Sequence, residues 1–110
     1  MMKYANIHEA VTFDEENVVV DELIETPFCR ELRITMYAHQ VMRDHESDHP
    51  LMLEVCEGAV TLASEAGERV LPRGCIVAVE GGVKHHIEAL QDSILRLTLL
   101  TDCAENGGDA

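Results

Sequence analysis

Residues 74–89 read GCIVAVEGGVKHHIEA. Cys75 to Val79 is a short apolar run, the length of one buried strand. Glu80-Gly81-Gly82 is turn chemistry, because glycine accepts positive φ at no steric cost. A strict alternation follows. It predicts a strand over 83–89, with Val83, His85, Ile87 and Ala89 facing inward and Lys84, His86 and Glu88 facing outward. His85 is the exception on the apolar face. Such a histidine is either a core residue satisfied by one backbone hydrogen bond or a group that carries chemistry. His86 sits among charges and reads as ordinary surface.

Outward from this stretch, the chain continues as short strands and turns. Val18 to Ile24 is a β-branched stretch that Thr26-Pro27 stops, since proline cannot donate to a ladder. Arg30 to Tyr37 alternates, with Leu32, Ile34 and Met36 on one face and Arg33, Thr35 and Tyr37 on the other. From Ala38 to Pro50 the pattern breaks into AHQVMRDHESDHP, rich in histidine and acid. Leu51 to Glu57 is the next strand, Gly58 ends it, and Ala59 to Ala63 returns. Ser64 to Glu68 reads as a hairpin loop, Val70-Leu71 as a short strand, and Pro72-Arg73-Gly74 as a turn. Leu95, Leu97 and Leu99 alternate with Arg96 and Thr98. No amphipathic helix of three turns is present. Many short strands with turns between them predict an all-β sandwich or barrel in a single domain. The expected organisation is a lead-in segment and edge strand over 1–29, a barrel over 30–101, and a frayed acidic tail over 102–110.

A chain of 110 residues, 46% of them apolar, builds one core. Tryptophan is absent and aromatics are few, so that core is aliphatic. The formal charge of −13 repels nucleic acid and anionic membranes, and neither is expected as a partner. Cys29, Cys56, Cys75 and Cys103 are widely spaced, without a C-x-x-C pair, so no zinc ribbon or redox pair is expected. Cys56 and Cys75, inside apolar runs, read as small buried hydrophobes. The N-terminus lacks a signal-peptide pattern and no run is long enough to span a membrane, so a reduced, cytoplasmic protein is expected.

Gly74, five residues, Glu80, one residue, Gly82, two residues, His85: this spacing resembles the second motif of the cupins, G-x5-P-x-G-x2-H-x3-N. Glu80 replaces the proline and Ala89 the asparagine. The first cupin motif, anchored on Gly58, falls on His39, His45, Ser47, Leu51 and Gly58. There His39 takes the place of the glycine, Ser47 of the second histidine and Leu51 of the glutamate. The resemblance covers roughly residues 30–101 and implies a small antiparallel β-barrel of the jelly-roll kind. In that family three histidines and a glutamate hold a divalent metal inside the barrel. Two of those positions survive here, His45 and His85. Three protein ligands plus water are the usual minimum for a catalytic ion. His49 is the obvious third ligand: it shares strand parity with His45, and Pro50 biases it towards extended geometry. His39 or Gln40 are alternative donors. A three-histidine site suits zinc, nickel, copper or iron, and loss of the carboxylate makes manganese or iron chemistry less certain. The resemblance further implies a small polar ligand in the barrel, a homodimer, and dioxygenase, isomerase or lyase chemistry if there is catalysis. The departures at Ser47, Leu51 and Ala89 point to the alternative, a non-catalytic binding or sensory module that has lost its metal.

His45-Glu46-Ser47-Asp48-His49 also spells H-E-x-x-H, the zinc-protease pattern. That chemistry needs both histidines on one helix face. Pro50 and the run of poor helix formers argue against a helix, and the test is whether 42–50 is helical.

Overall fold

The computed structural model describes residues 2–45 and 48–100, with the backbone alone at residues 44 and 45. Nine strands are present among the described residues: β1 (Val19–Glu25), β2 (Cys29–Met36), β3 (Val41–His45), β4 (Leu51–Glu57), β5 (Ala59–Ser64), β6 (Gly67–Pro72), β7 (Ile76–Val79), β8 (His85–Ala89) and β9 (Ser93–Leu100). They pair antiparallel in two sheets, a five-stranded one in the order β1-β2-β9-β4-β7 and a four-stranded one in the order β3-β8-β5-β6. No helix occurs among the described residues, and the architecture is the expected all-β jelly roll.

The alternating residues of both sheets meet in the middle. Leu32, Ile34 and Met36 on β2 face Val60 on β5 and Ile87 and Ala89 on β8 in one contiguous cluster. Ile34, Met36, Leu53, Val55 and Leu95 are the largest apolar side chains wholly removed from water. Each such burial stabilises the fold by roughly 1.5–3 kcal/mol. The same parity puts Arg33 and Thr35 on the outer face of β2, yet both are buried. The N-terminal segment lies over them. Arg33 donates from Nη1 to the carbonyls of Ile7 (3.2 Å) and Glu9 (2.7 Å), and from Nη2 to that of Ala10 (3.2 Å). Its charge meets Asp21 at 3.1 Å. A strand with a solvated outer face was the expectation from alternation alone. The lead-in segment converts that face into an interface.

Several local expectations need correction. The strand expected over 83–89 begins only at His85, and Val83 is 37% exposed in the turn before it. A glycine pair followed by two residues is the length the chain needs to leave β7 and enter the other sheet. β7, read as fully buried, is an edge strand whose Ile76 and Ala78 face outward; of its residues only Val79 is buried. The 64–68 loop is tighter than expected: Ser64 pairs with Gly67, so β6 starts there rather than at Val70. Residues 41–45, where no pattern was legible, form β3. Cys56 and Cys75 are only partly buried. Cys56 has the parity of the outer face of β4, and burial beside Glu54 and Glu57 still pushes its thiol up.

Candidate functional site at one end of the barrel

His85 opens β8 between two neighbours. Across one ladder its register partner is His45, and across the other it is Ser64. Directly opposed residues of an antiparallel pair lie on the same face of the sheet. His85, 4% exposed, faces inward with Ile87 and Ala89, whereas His86 and Glu88 face water. The inward histidine read from the sequence is therefore present. Its Nδ1 lies 3.1 Å from the Val83 carbonyl oxygen. A carbonyl can only accept, so Nδ1 is the donor of this contact. Metal-ligating histidines are commonly oriented by such a bond from one ring nitrogen to the backbone.

The turn before His85 holds a second segment in place. A Cβ added at Gly81 would collide with the Asp48 carbonyl oxygen, and the backbone of His49 is packed alongside. The glycine pair thus permits the segment carrying His49 to sit on the turn that leads to His85. His49 itself is half-buried and lies outside any strand or helix. His45 lies at the end of β3, opposite His85, by backbone register; Glu46 and Ser47 fall outside the described residues. Because His45 ends a strand, the H-E-x-x-H stretch does not begin in a helix, and the protease reading loses the geometry it requires.

His39 and Gln40 are at the other end of β3, beside Ala89, whereas His45 is beside His85. That separation is roughly 13 Å along an extended strand. The Gln40 amide is engaged at both ends: Oε1 accepts from Tyr37 N–H at 2.7 Å, and Nε2 donates to the Asp14 carbonyl at 2.8 Å. Neither residue substitutes for a ligand near His85. Leu51, in the glutamate's place, is 3% exposed and pairs with Val79 and Leu99 inside the core. Among the described residues no three His, Cys, Asp or Glu side chains form a group able to hold an ion. At this end Leu51 supplies no donor, and among the described residues His85 is the buried imidazole.

A cleft of about 340 Å3 opens beside His85, with Ser64, Glu80 and Val83 in its lining. Sequence reasoning passed over Ser64 and treated Glu80 only as a departure from a motif. The pairing of Ser64 with His85 is long-range, and no local signal carries it. A larger groove of about 810 Å3 lies outside the barrel, between the N-terminal segment and the five-stranded sheet. Its charges are largely satisfied among themselves. Arg96 makes paired bonds of 3.0 and 2.9 Å to Glu31, and His8 lies 3.1 Å from Glu57. The smaller cleft, with a buried imidazole in it, is the candidate site.

Comparison with solved structures agrees with this architecture. An RmlC-like cupin protein from Desulfovibrio desulfuricans superposes with a TM-score of 0.83 at 24% identity, over 91% of this chain and 97% of that one. KdgF from a Halomonas species gives a TM-score of 0.71 at 21% identity, over 79% of this chain and 82% of its own. The cupin domain of Schizosaccharomyces pombe Cnp3 gives 0.74 at 18% identity, over 90% and 70%. No protein-family model matches the sequence, and no curated protein matches it either. The chain has the cupin fold, as a small single-domain jelly roll.

Proposed function

We propose that this protein is a small cupin that holds a small polar ligand at the His85 end of the barrel, together with a divalent first-row metal bound by His45, His49 and His85. The observation that carries the reading is His85 itself: inward, buried, with Nδ1 donating to the Val83 carbonyl, opposite His45 by register and beside a cleft of about 340 Å3. The close packing of the His49 backbone on Gly81 supports the third ligand. When bound, such an ion supplies Lewis-acid polarisation of a ligand oxygen. Dioxygenase, isomerase and lyase chemistry are all compatible with the fold. Cys29, Cys56 and Cys75 are free thiols, which suits a reducing cytoplasm. A homodimer is part of the proposal, because β1 is an end strand of the five-stranded sheet, and pairing with a second copy would extend its ladder.

The buried Leu51 favours a second reading, a binding or sensory module without metal. Metal analysis of protein purified without a histidine tag, followed by titration with Zn, Ni, Fe, Cu and Mn, separates the two. Metal binding requires that wild type take up an ion, that His85→Ala abolish uptake and that His86→Ala preserve it. A wild type that binds none of these ions gives the site to the metal-free reading.

A further inference from the structure

We infer that Gly81 is a positioning residue for the site proposed above: its missing side chain sets how closely the segment carrying His49 lies against the turn that leads to His85. The inference deepens that reading and rests on it for what the histidines bind. It starts from the register. In the β4–β7 ladder Leu51 pairs with Val79, Met52 with Ala78 and Leu53 with Val77. Continued two residues past Leu51 and Val79, the same antiparallel register sets His49 opposite Gly81. The strands themselves end at Leu51 and Val79, yet the two chains stay in contact beyond them. A Cβ built on Gly81 would overlap the Asp48 carbonyl oxygen. It would stand 3.0 Å from the Asp48 carbonyl carbon and 3.4 Å from that of His49. All three are backbone atoms, held in planar peptide units, and cannot swing aside as the end of a side chain does.

Both chains are pinned next to this contact. Leu51 and Val79 are buried, and the Pro50 carbonyl accepts from the Leu100 N–H at 3.2 Å. On the turn side the Glu80 carbonyl accepts from the Val83 N–H at 3.4 Å. A side chain at position 81 is therefore relieved by pushing Asp48 and His49 off the turn rather than by moving the strands. His85 follows four residues after Gly81, at the head of β8, so the contact fixes His49 relative to the entry of that strand. Gly82 differs from its neighbour. Its φ is +83°, and a Cβ there meets nothing within 4 Å, whereas Gly81 lies outside the left-handed region. One glycine is required by its backbone angle and the other by close approach. Alanine at the two adjacent positions thus separates backbone strain from displacement of His49.

The test compares the full chain as wild type, Gly81→Ala and Gly82→Ala by NMR, first with chelator present. In wild type the Gly81 α-protons should show cross-relaxation with protons of Asp48 or His49, and its absence overturns the inference without any variant. Gly81→Ala should shift the amide and ring resonances of His49 while the core residues Leu53, Val55 and Leu95 keep theirs. Gly82→Ala should lower the denaturation midpoint and leave His49 near its wild-type resonances. Unchanged His49 resonances in Gly81→Ala, or equal changes in both variants, overturn the inference. Titration with zinc then reads the proposed site. Gly81→Ala should weaken uptake by about tenfold or more, the usual cost of disturbing what supports a ligand, and Gly82→Ala by less than about twofold. Equal loss of uptake in the two variants overturns the inference. A wild type that takes up no zinc, with His49 displaced in Gly81→Ala alone, removes the metal reading and leaves the placing of His49 by Gly81 standing.

Discussion

At single residues, two backbone conformations decide how the sheets connect. Gly58 has φ of +86° between β4 and β5, and a Cβ there would meet the Ser93 hydroxyl and the Asp92 carbonyl. Gly58→Ala combines a strained φ with a collision against backbone. It should destabilise the protein by about 2 kcal/mol or more in denaturant unfolding. His39 shows the opposite situation. It occupies a left-handed conformation, φ +75°, without being glycine. Its N–H donates to the Ala89 carbonyl at 2.7 Å, so the turn imposes the angle. His39→Gly should raise stability by about 0.5–1 kcal/mol, the relief of Cβ strain less the added unfolded-state entropy. It should leave metal uptake unchanged, because His39 is remote from His85. A loss of uptake in that variant would restore His39 as a ligand.

At the level of elements, the outer face of the five-stranded sheet is organised by two arginines. Arg33, 4% exposed, ties three carbonyls of the N-terminal segment to β2. Arg33→Met should cost about 2–4 kcal/mol, since hydrogen bonds to a charged donor are lost and carbonyls are left unpaired. Protease cleavage within residues 4–17 should accelerate more than global unfolding does, and equal acceleration would mean the segment is not held by Arg33. On β9, Arg96 and Thr98 bond to Glu31 of β2. Burial pushes the Glu31 carboxyl up, but these bonds and the Arg96 charge outweigh it and hold the group below its ordinary value. A carboxyl depressed in the fold adds stability that is complete above its unfolded pKa and disappears as the pH falls through the folded one. Glu31→Gln should therefore flatten the acid side of the stability profile, and the difference from wild type should vanish once both carboxyl states are protonated.

For the whole molecule, 21 acidic residues against 8 basic ones make self-repulsion a standing cost of compaction. Raising ionic strength from about 0.01 M to about 0.15 M shortens the screening length from about 30 Å to about 8 Å and should raise Tm. A fall in Tm over that range would mean that the exposed ion pairs outweigh the excess charge. The same repulsion acts between copies, so the proposed dimer should tighten with salt. Light scattering at micromolar concentration checks it, and a monomer at both ionic strengths counts against the dimer. Ala or Lys at Val20, which lies 47% exposed on edge strand β1, should weaken association without weakening the monomer.

The period-two alternation by itself determined the all-β class, the inward faces of β2 and β9, and the placement of His85 inside and His86 outside. Those features are local: parity along one strand, with turn residues at its ends, decides which side chains share a face. Tertiary structure decided what lay beyond one strand. Arg33 is buried because a segment some twenty-five residues earlier covers it, and alternation cannot see a covering segment. β3 was illegible because its charged residues mask the alternation, and it is recognised only by pairing with β8. The exclusion of His39 and Gln40, the pairing of Ser64 with His85 and the entry of Glu80 into the cleft all depend on long-range register between strands. Such register is fixed when the two hydrophobic faces close on each other, and no window of the chain contains it.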